Sequence, residues 1–324
     1  MPPSRYALLA VVALALWAPL GARAEAPFRK PHMHRPGKGC QISVGPVTVQ
    51  RGTENTECTY LKFPGKRDMA VNRVKIKVSG GSHHVHIYRP ADPTLNLADG
   101  HEACNFALDF SVWQLVLATQ EIFLDWKLPP GIAFHFRAHE QLAAQTHFVD
   151  NGLLQTPTGQ GWALFNLYSM PQRKVTSYAG AIFGQDRDVL VPPHATSTAT
   201  TRCVFPKEVK LLALTGHYHY RGVHFTAATW DPTNPAGSQP LYEQIGYLDP
   251  PFVRYSALTA PTVKGLQWTC TYDNETDQTF TFGPFTDNNE HCNLFAFYYP
   301  TATPDEFTTC VQKAGVVTTT VTGQ

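Results

Sequence analysis

The sequence predicts an all-β protein built as two tandem antiparallel β-sandwich (jelly-roll-like) domains. Three observations carry this. Short runs rich in Val, Thr and aromatic residues recur from residue 40 onward. Pro, Gly, Asn and Asp separate them at short intervals, drawing on the chain's 26 prolines and 23 glycines. No segment keeps a helical hydrophobic period for more than about two turns. Many short strands with irregular turns fit sandwiches or jelly rolls.

Taken in order, residues 1–24 read as a secretory signal. Arg5 supplies a positive start, Ala7 to Ala18 an apolar run too short to span a bilayer, and Ala22-Arg23-Ala24 a small-x-small cleavage site. Residues 25–39 carry Pro27, Pro31, Pro36, Gly37 and Gly39 and read as a flexible tail. Cleavage after Ala24 leaves Glu25 first, which excludes the polysaccharide-cleaving copper monooxygenases, since these need histidine there. Strands are expected at 71–78, 85–88, 132–136 and 162–167 in an N-terminal domain, 40–174. Others are expected at 209–214, 225–230 and 294–299 in a C-terminal domain, 175–313. Phe106–Gln120 is the best candidate for a short helix or loop, and residues 314–324 read as a tail.

Composition narrows the function. A net charge of +1 and 16% charged residues leave no basic block for nucleic acid or anionic lipid. No later stretch is long and apolar enough for a transmembrane helix, so no membrane anchor is expected once the signal is cleaved. Six of the seven cysteines suit three disulfides in an exported, periplasmic or extracellular protein.

The 14 histidines are concentrated. They sit in Ser82-His83-His84-Val85-His86, Gln145-Thr146-His147 and Gly216-His217-Tyr218-His219, with His291 beside Cys292. Neutral imidazole is the commonest protein ligand for Zn, Cu, Fe and Ni. On a strand, His-x-His puts both rings on one face. His217 and His219, at the end of the 209–214 run, form such a half-site. A cupin is excluded, because no carboxylate follows at the required distance. At 83–86, regular alternation pairs His84 with His86. Pairing His83 with His84 requires a bulge, which Gly80-Gly81 permits.

These motifs, in this order, resemble the copper type II, ascorbate-dependent monooxygenases over roughly residues 45–312. In that family an adjacent His-His pair, with a later histidine preceded two residues earlier by glutamine, binds one copper. The matching residues are His83, His84 and His147, with Gln145. A His-x-His and a Met-Cys-Asn segment bind the second copper, matching His217, His219 and His291-Cys292-Asn293. The resemblance implies two copper ions per chain and an external reductant such as ascorbate. It also implies dioxygen and a small-molecule substrate, hydroxylated at a C–H bond by chemistry at His217, His219 and His291. It further implies disulfides Cys203–Cys310, Cys270–Cys292 and Cys58–Cys104, leaving Cys40 unpaired.

Two departures stand out. His291 replaces the family's methionine, exchanging a soft thioether for a borderline imidazole. Thr215 stands where peptide-hydroxylating members hold a substrate carboxylate with arginine. Phe295 replaces a tyrosine there and Asn293 is kept, so Thr215, Asn293 and Phe295 are the substrate-side candidates. The rival expectation is a non-catalytic exported copper-binding protein on the same scaffold.

Overall fold

The computed structural model describes residues 28–104 and 109–323. The signal read over residues 1–24 lies outside the described residues. Strands dominate; the only helical turns among the described residues are two three-residue 3-10 turns, so the all-β expectation holds.

The N-terminal domain is a two-sheet sandwich. One sheet runs in the order Gly39–Gln50, Thr158–Met170, Met69–Val78, Ile132–Phe136 and Ser177–Tyr178, with Phe123–Lys127 also on Met69–Val78. The other runs Gly100–Ala103, Glu54–Lys62, Gln141–Val149, Ser82–Pro90 and Trp113–Thr119. In Met69–Val78 the alternation is plain: Val74, Ile76 and Val78 are buried while Arg73, Lys75 and Lys77 reach toward solvent. The second sheet behaves differently. Trp113–Thr119 is buried at every residue, and Gln141–Val149 at all but its last. One face of that sheet packs on its own sandwich and the other on the C-terminal domain.

In the C-terminal domain nine strands form one sheet. Its order is Pro240–Ile245, Gly222–Thr229, Thr262–Asn274, Ala195–His217, Asn293–Tyr299, Gly180–Asp186, Phe307–Lys313 and Val316–Thr322, with Val253–Arg254 on Ala195–His217. A small pair, Leu190–Val191 with Phe280–Thr281, stands apart. The 23-residue strand Ala195–His217 is the hinge of this architecture. It pairs with Thr262–Asn274 through Val204, slips register, resumes that pairing at Val209 and Lys210, and from Lys210 also pairs with Asn293–Tyr299. The sheet thereby turns over on itself, and a core of Phe225, Trp268, Tyr272, Leu294 and Tyr298 fills the fold. Cys203–Cys310 and Cys270–Cys292 each join one half to the other, and Cys58–Cys104 ties the N-terminal domain, as the resemblance implies. Cys40 is free.

The domains share a core. Trp126 and Phe134 of the first meet Phe297 of the second at centroid distances of 5.2 and 5.8 Å. Buried Arg89 pairs with Asp305 across the interface and with Glu140 at 3.4 Å within its own domain. Strand pairing passes from one domain to the other around Ala179, a few residues beyond the expected boundary at 174/175.

Three expectations are corrected. Within the expected tail 25–39, residues 28–38 lie along the N-terminal sandwich: Phe28 is buried against Phe148, and the Met33 and His34 carbonyls accept from Gln41 and Asn166. Residues 316–322 of the expected tail 314–324 form an edge strand, closed by a two-residue turn with Ala314 and Gly315 both at positive φ. Trp113–Thr119, from the candidate helix or loop, is a fully buried strand at the end of the second sheet, paired with Ser82–Pro90 and rich in branched residues.

A candidate metal centre between the domains

The histidines of both domains converge on the interface. In the N-terminal sheet, Ser82–Pro90 pairs with Gln141–Val149 so that His84 faces His147 and His86 faces Gln145. The register slips between Ser82 and His84, so His83 sits in a bulge and its ring leaves the strand's ordinary alternation. The bulge anticipated after Gly80-Gly81 is therefore present, and it brings His83 and His84 to one side together. Their ring centroids are 5.4 Å apart, and His83 lies 5.2 Å from His147.

In the C-terminal domain the ladder ends at His217, opposite Asn293. Beyond it a buried carboxylate replaces the missing strand partner: Glu290 accepts from the backbone N–H of His219 at 3.0 Å and of Arg221 at 2.9 Å. This keeps His219 on the side of His217, while Tyr218 is buried on the other side and bonds the Gly246 carbonyl. Cys292, bonded to Cys270, and the Tyr272 hydroxyl, donating to the His291 carbonyl at 2.6 Å, fix the backbone at His291. His291 then lies 4.2 Å from His219 and 5.4 Å from His217.

The two histidine sets are not separate. His83 stands 4.8 Å from His217 and 5.8 Å from His219, and His84 stands 5.3 Å from His217. Seven imidazoles, at residues 83, 84, 86, 147, 217, 219 and 291, form one continuous cluster. The histidines of the two domains are in direct contact.

The tautomers are set from outside the cluster. His217 Nδ1 donates to Gln120 Oε1 at 2.7 Å, and Gln120 in turn donates to the Gly216 carbonyl. His219 Nδ1 donates to the Asn289 carbonyl at 3.1 Å, and His147 Nε2 to Glu54 at 2.8 Å. Each bond leaves the other ring nitrogen unprotonated, with its lone pair turned into the cluster, the arrangement found around metal-binding histidines. Glu54 also accepts from Thr286 of the other domain. Burial pushes the Glu54 carboxyl up, but the bonds and charge of His147 and the bonds of Thr286 together outweigh it and hold the group below its ordinary value.

The residues fit a transition metal. His83 Nε2, His84 Nδ1, His86 Nε2, His219 Nε2 and His291 Nδ1 are buried without a hydrogen-bond partner. Leaving one such group unmatched costs about 1–3 kcal/mol, so five together call for a compensating ligand. Burial, reinforced by the charges of neighbouring histidines, holds the His83, His84, His217, His219 and His291 pKa values well below the ordinary one, and His86 at about 3. The rings are neutral donors at pH 7. His84 Nε2 and His147 Nδ1 are 3.3 Å apart, about the spacing of two nitrogens held at ~2.0–2.1 Å by one tetrahedral ion. An all-imidazole set suits Cu, Zn, Fe or Ni and disfavours Ca and Mg.

A cavity of ≈ 410 Å³ opens beside the cluster, lined by His84, His86, His147, His217, His291, Gln145, Asn293, Phe183, Phe285 and Phe295 among others. Asn293 and Phe295, expected on the substrate side, line it, and Asn293 Oδ1 is buried without a partner. Thr215 does not line it: its hydroxyl sits beneath Gln120 Nε2 at 3.2 Å. Gln145 faces His86 Nδ1 at 3.1 Å, so its contact is with that ring.

Sequence reasoning missed Gln120, Glu54 and Glu290, and named His86 only as the partner that alternation gives His84. Glu290 carried a signal, since it adjoins His291. Gln120 and Glu54 meet their histidines only through tertiary packing.

The imidazoles gathered between the two domains form a candidate site for a transition metal. Residues 181–319 match the family model for the copper type II ascorbate-dependent monooxygenase, C-terminal domain. No curated protein matches the chain. Among solved structures, PBCV-1 VP54 fitted into a cryo-EM reconstruction of the virophage Sputnik is 9% identical over 90% of this chain and 99% of that one, at a TM-score of 0.27. The STIV MCP is 7% identical over 81% and 91%, also at 0.27.

Proposed function

We propose that this chain is an exported copper-dependent monooxygenase that hydroxylates a C–H bond of a small molecule, using dioxygen and an external reductant such as ascorbate. The observation that carries this is the histidine cluster, fed from both domains and opening on one cavity. Copper held there would supply one-electron redox chemistry and the activation of dioxygen.

The chain's own residues set the conditions. His84 and His147 belong to one copper and His217, His219 and His291 to the other, with His83 standing between the two sets. Gln120, Glu54 and the Asn289 carbonyl hold ring protons away from the centre, so each ring presents a lone pair without rearrangement. Phe183 and Phe295, 4.6 Å apart, form an apolar wall that excludes water from the reacting C–H. The free Asn293 Oδ1 is placed to accept from a substrate hydroxyl or amine. Among the described residues no arginine or lysine lines the cavity, so the substrate is a small, largely apolar molecule with a hydrogen-bond donor and not a carboxylate. Three disulfides and the family match support export. No helix among the described residues is long and apolar enough to cross a membrane.

The test is turnover. Copper-loaded protein, ascorbate and a panel of small aromatic alcohols and amines are incubated under ¹⁸O-labelled dioxygen. A product carrying one labelled oxygen, absent in His217→Ala, is expected. Full copper loading with no labelled product across the panel would favour the second reading, a non-catalytic copper-binding protein. The specific observation behind that reading is the replacement of thioether by His291.

A further inference from the structure

We infer that His83 is a ligand of the C-terminal copper, so that a single ion is held by side chains of both domains. This rests on the copper-binding part of the reading above and departs from the ligand set the family resemblance implies. His83, His217 and His219 are the one group among the described residues whose ligand atoms all lie within 4.8 Å of one another. The His83 ring is nearer His217, at 4.8 Å, than it is to His147 at 5.2 Å or His84 at 5.4 Å.

The donor atoms agree. With its Nδ1 bonded to Gln120, His217 keeps Nε2 for a metal. The Nε2 atoms of His83 and His219 are buried and have no partner. Three imidazole nitrogens thus converge with nothing else to bond. The bulge between Ser82 and His84 is the backbone device that frees His83 from the alternation binding His84 and His86 to their own sheet. The domain interface supplies the rigidity such a shared site needs, through the common aromatic core and the Arg89–Asp305 pair. A bound copper would then pin the two domains to each other, in addition to any redox work.

The test uses the full chain carrying His84→Ala and His147→Ala, which removes the other N-terminal ligands named above. Cu(I) affinity is measured anaerobically by competition with a chromophoric Cu(I) chelator. This variant is expected to keep one copper. Adding His83→Ala or His83→Gln should weaken that copper at least tenfold, as His217→Ala does, whereas adding His86→Ala should leave it within twofold. An unchanged affinity on losing His83 would overturn the inference, as would loss of all copper in the starting variant. Should the variants fail to fold, wild-type protein labelled with ¹⁵N-histidine and given one equivalent of Cu(I) serves instead. The ring nitrogens of His83 should shift together with those of His217 and His219; movement of the latter two alone would overturn it. No turnover is read, so a protein that binds copper through His83 yet hydroxylates nothing would refute the proposed activity and leave this site standing.

Discussion

The two domains present histidine by different means. In the N-terminal domain the rings sit within a continuous antiparallel ladder, and one bulge decides which ones converge. In the C-terminal domain the ladder stops at His217, and side chains take over: Glu290 caps two backbone N–H groups, the Asn289 carbonyl orients His219, and Gln120 of the other domain orients His217. A site written into a ladder is protected by many redundant backbone bonds. A site built on caps depends on a few buried polar groups, each costly to remove.

The largest expected effect tests what both sites share. Six histidines are held below their ordinary pKa, chiefly by burial. The unfolded chain takes up protons below about pH 6.5, the folded chain does not, and each such group costs roughly 1.4 kcal/mol per pH unit. Their contribution is present above pH 6.5 and lost as pH falls. Glu290, pushed by burial up to about 7, acts with the opposite sign, but one group does not offset six. Metal-free protein should therefore lose several kcal/mol between pH 7 and pH 5, read from urea midpoints. A flat midpoint over that range would mean that the rings are hydrated.

The contrast between caps and ladder is sharpened by a matched pair of substitutions. Glu290→Ala leaves two backbone donors without their acceptor in a buried place and removes the carboxylate that pairs with the Arg221 guanidinium, and should cost about 3 kcal/mol. Glu54→Ala, at a more exposed carboxylate beside the ladder, should cost about 1 kcal/mol. Equal losses would erase the distinction.

A smaller effect is expected at Gln120, whose removal leaves His217 free to turn. Gln120→Ala should weaken copper binding about 10–100-fold with little change in melting temperature. An unaltered affinity would show that His217 is held by packing alone.

Much of this was legible in the sequence, for local reasons. Period-two alternation reported the strands, Gly80-Gly81 flagged the bulge, and His217-Tyr218-His219 marked a strand end facing a site. The Val316–Thr322 edge strand is also legible, from a β-branched run after Ala314-Gly315. What the sequence could not show is the merging of the two histidine sets, because spacing along the chain carries no information on how one sheet face docks on another. Gln120 and Glu54 share that limit: each meets its histidine more than 90 residues away in sequence. Thr215 was expected on the substrate side through the family's arginine, yet in this chain Gln120 covers it.

The central claim is a copper centre made only of imidazoles drawn from both domains. X-ray absorption at the copper edge on reduced, fully loaded protein tests it most directly, alongside copper analysis after dialysis. Two copper ions per chain are expected, with nitrogen or oxygen neighbours and no sulfur scattering, and His291→Met should introduce a sulfur neighbour. A sulfur shell in the wild-type protein, or copper retained after both His84→Ala and His217→Ala, would contradict the account.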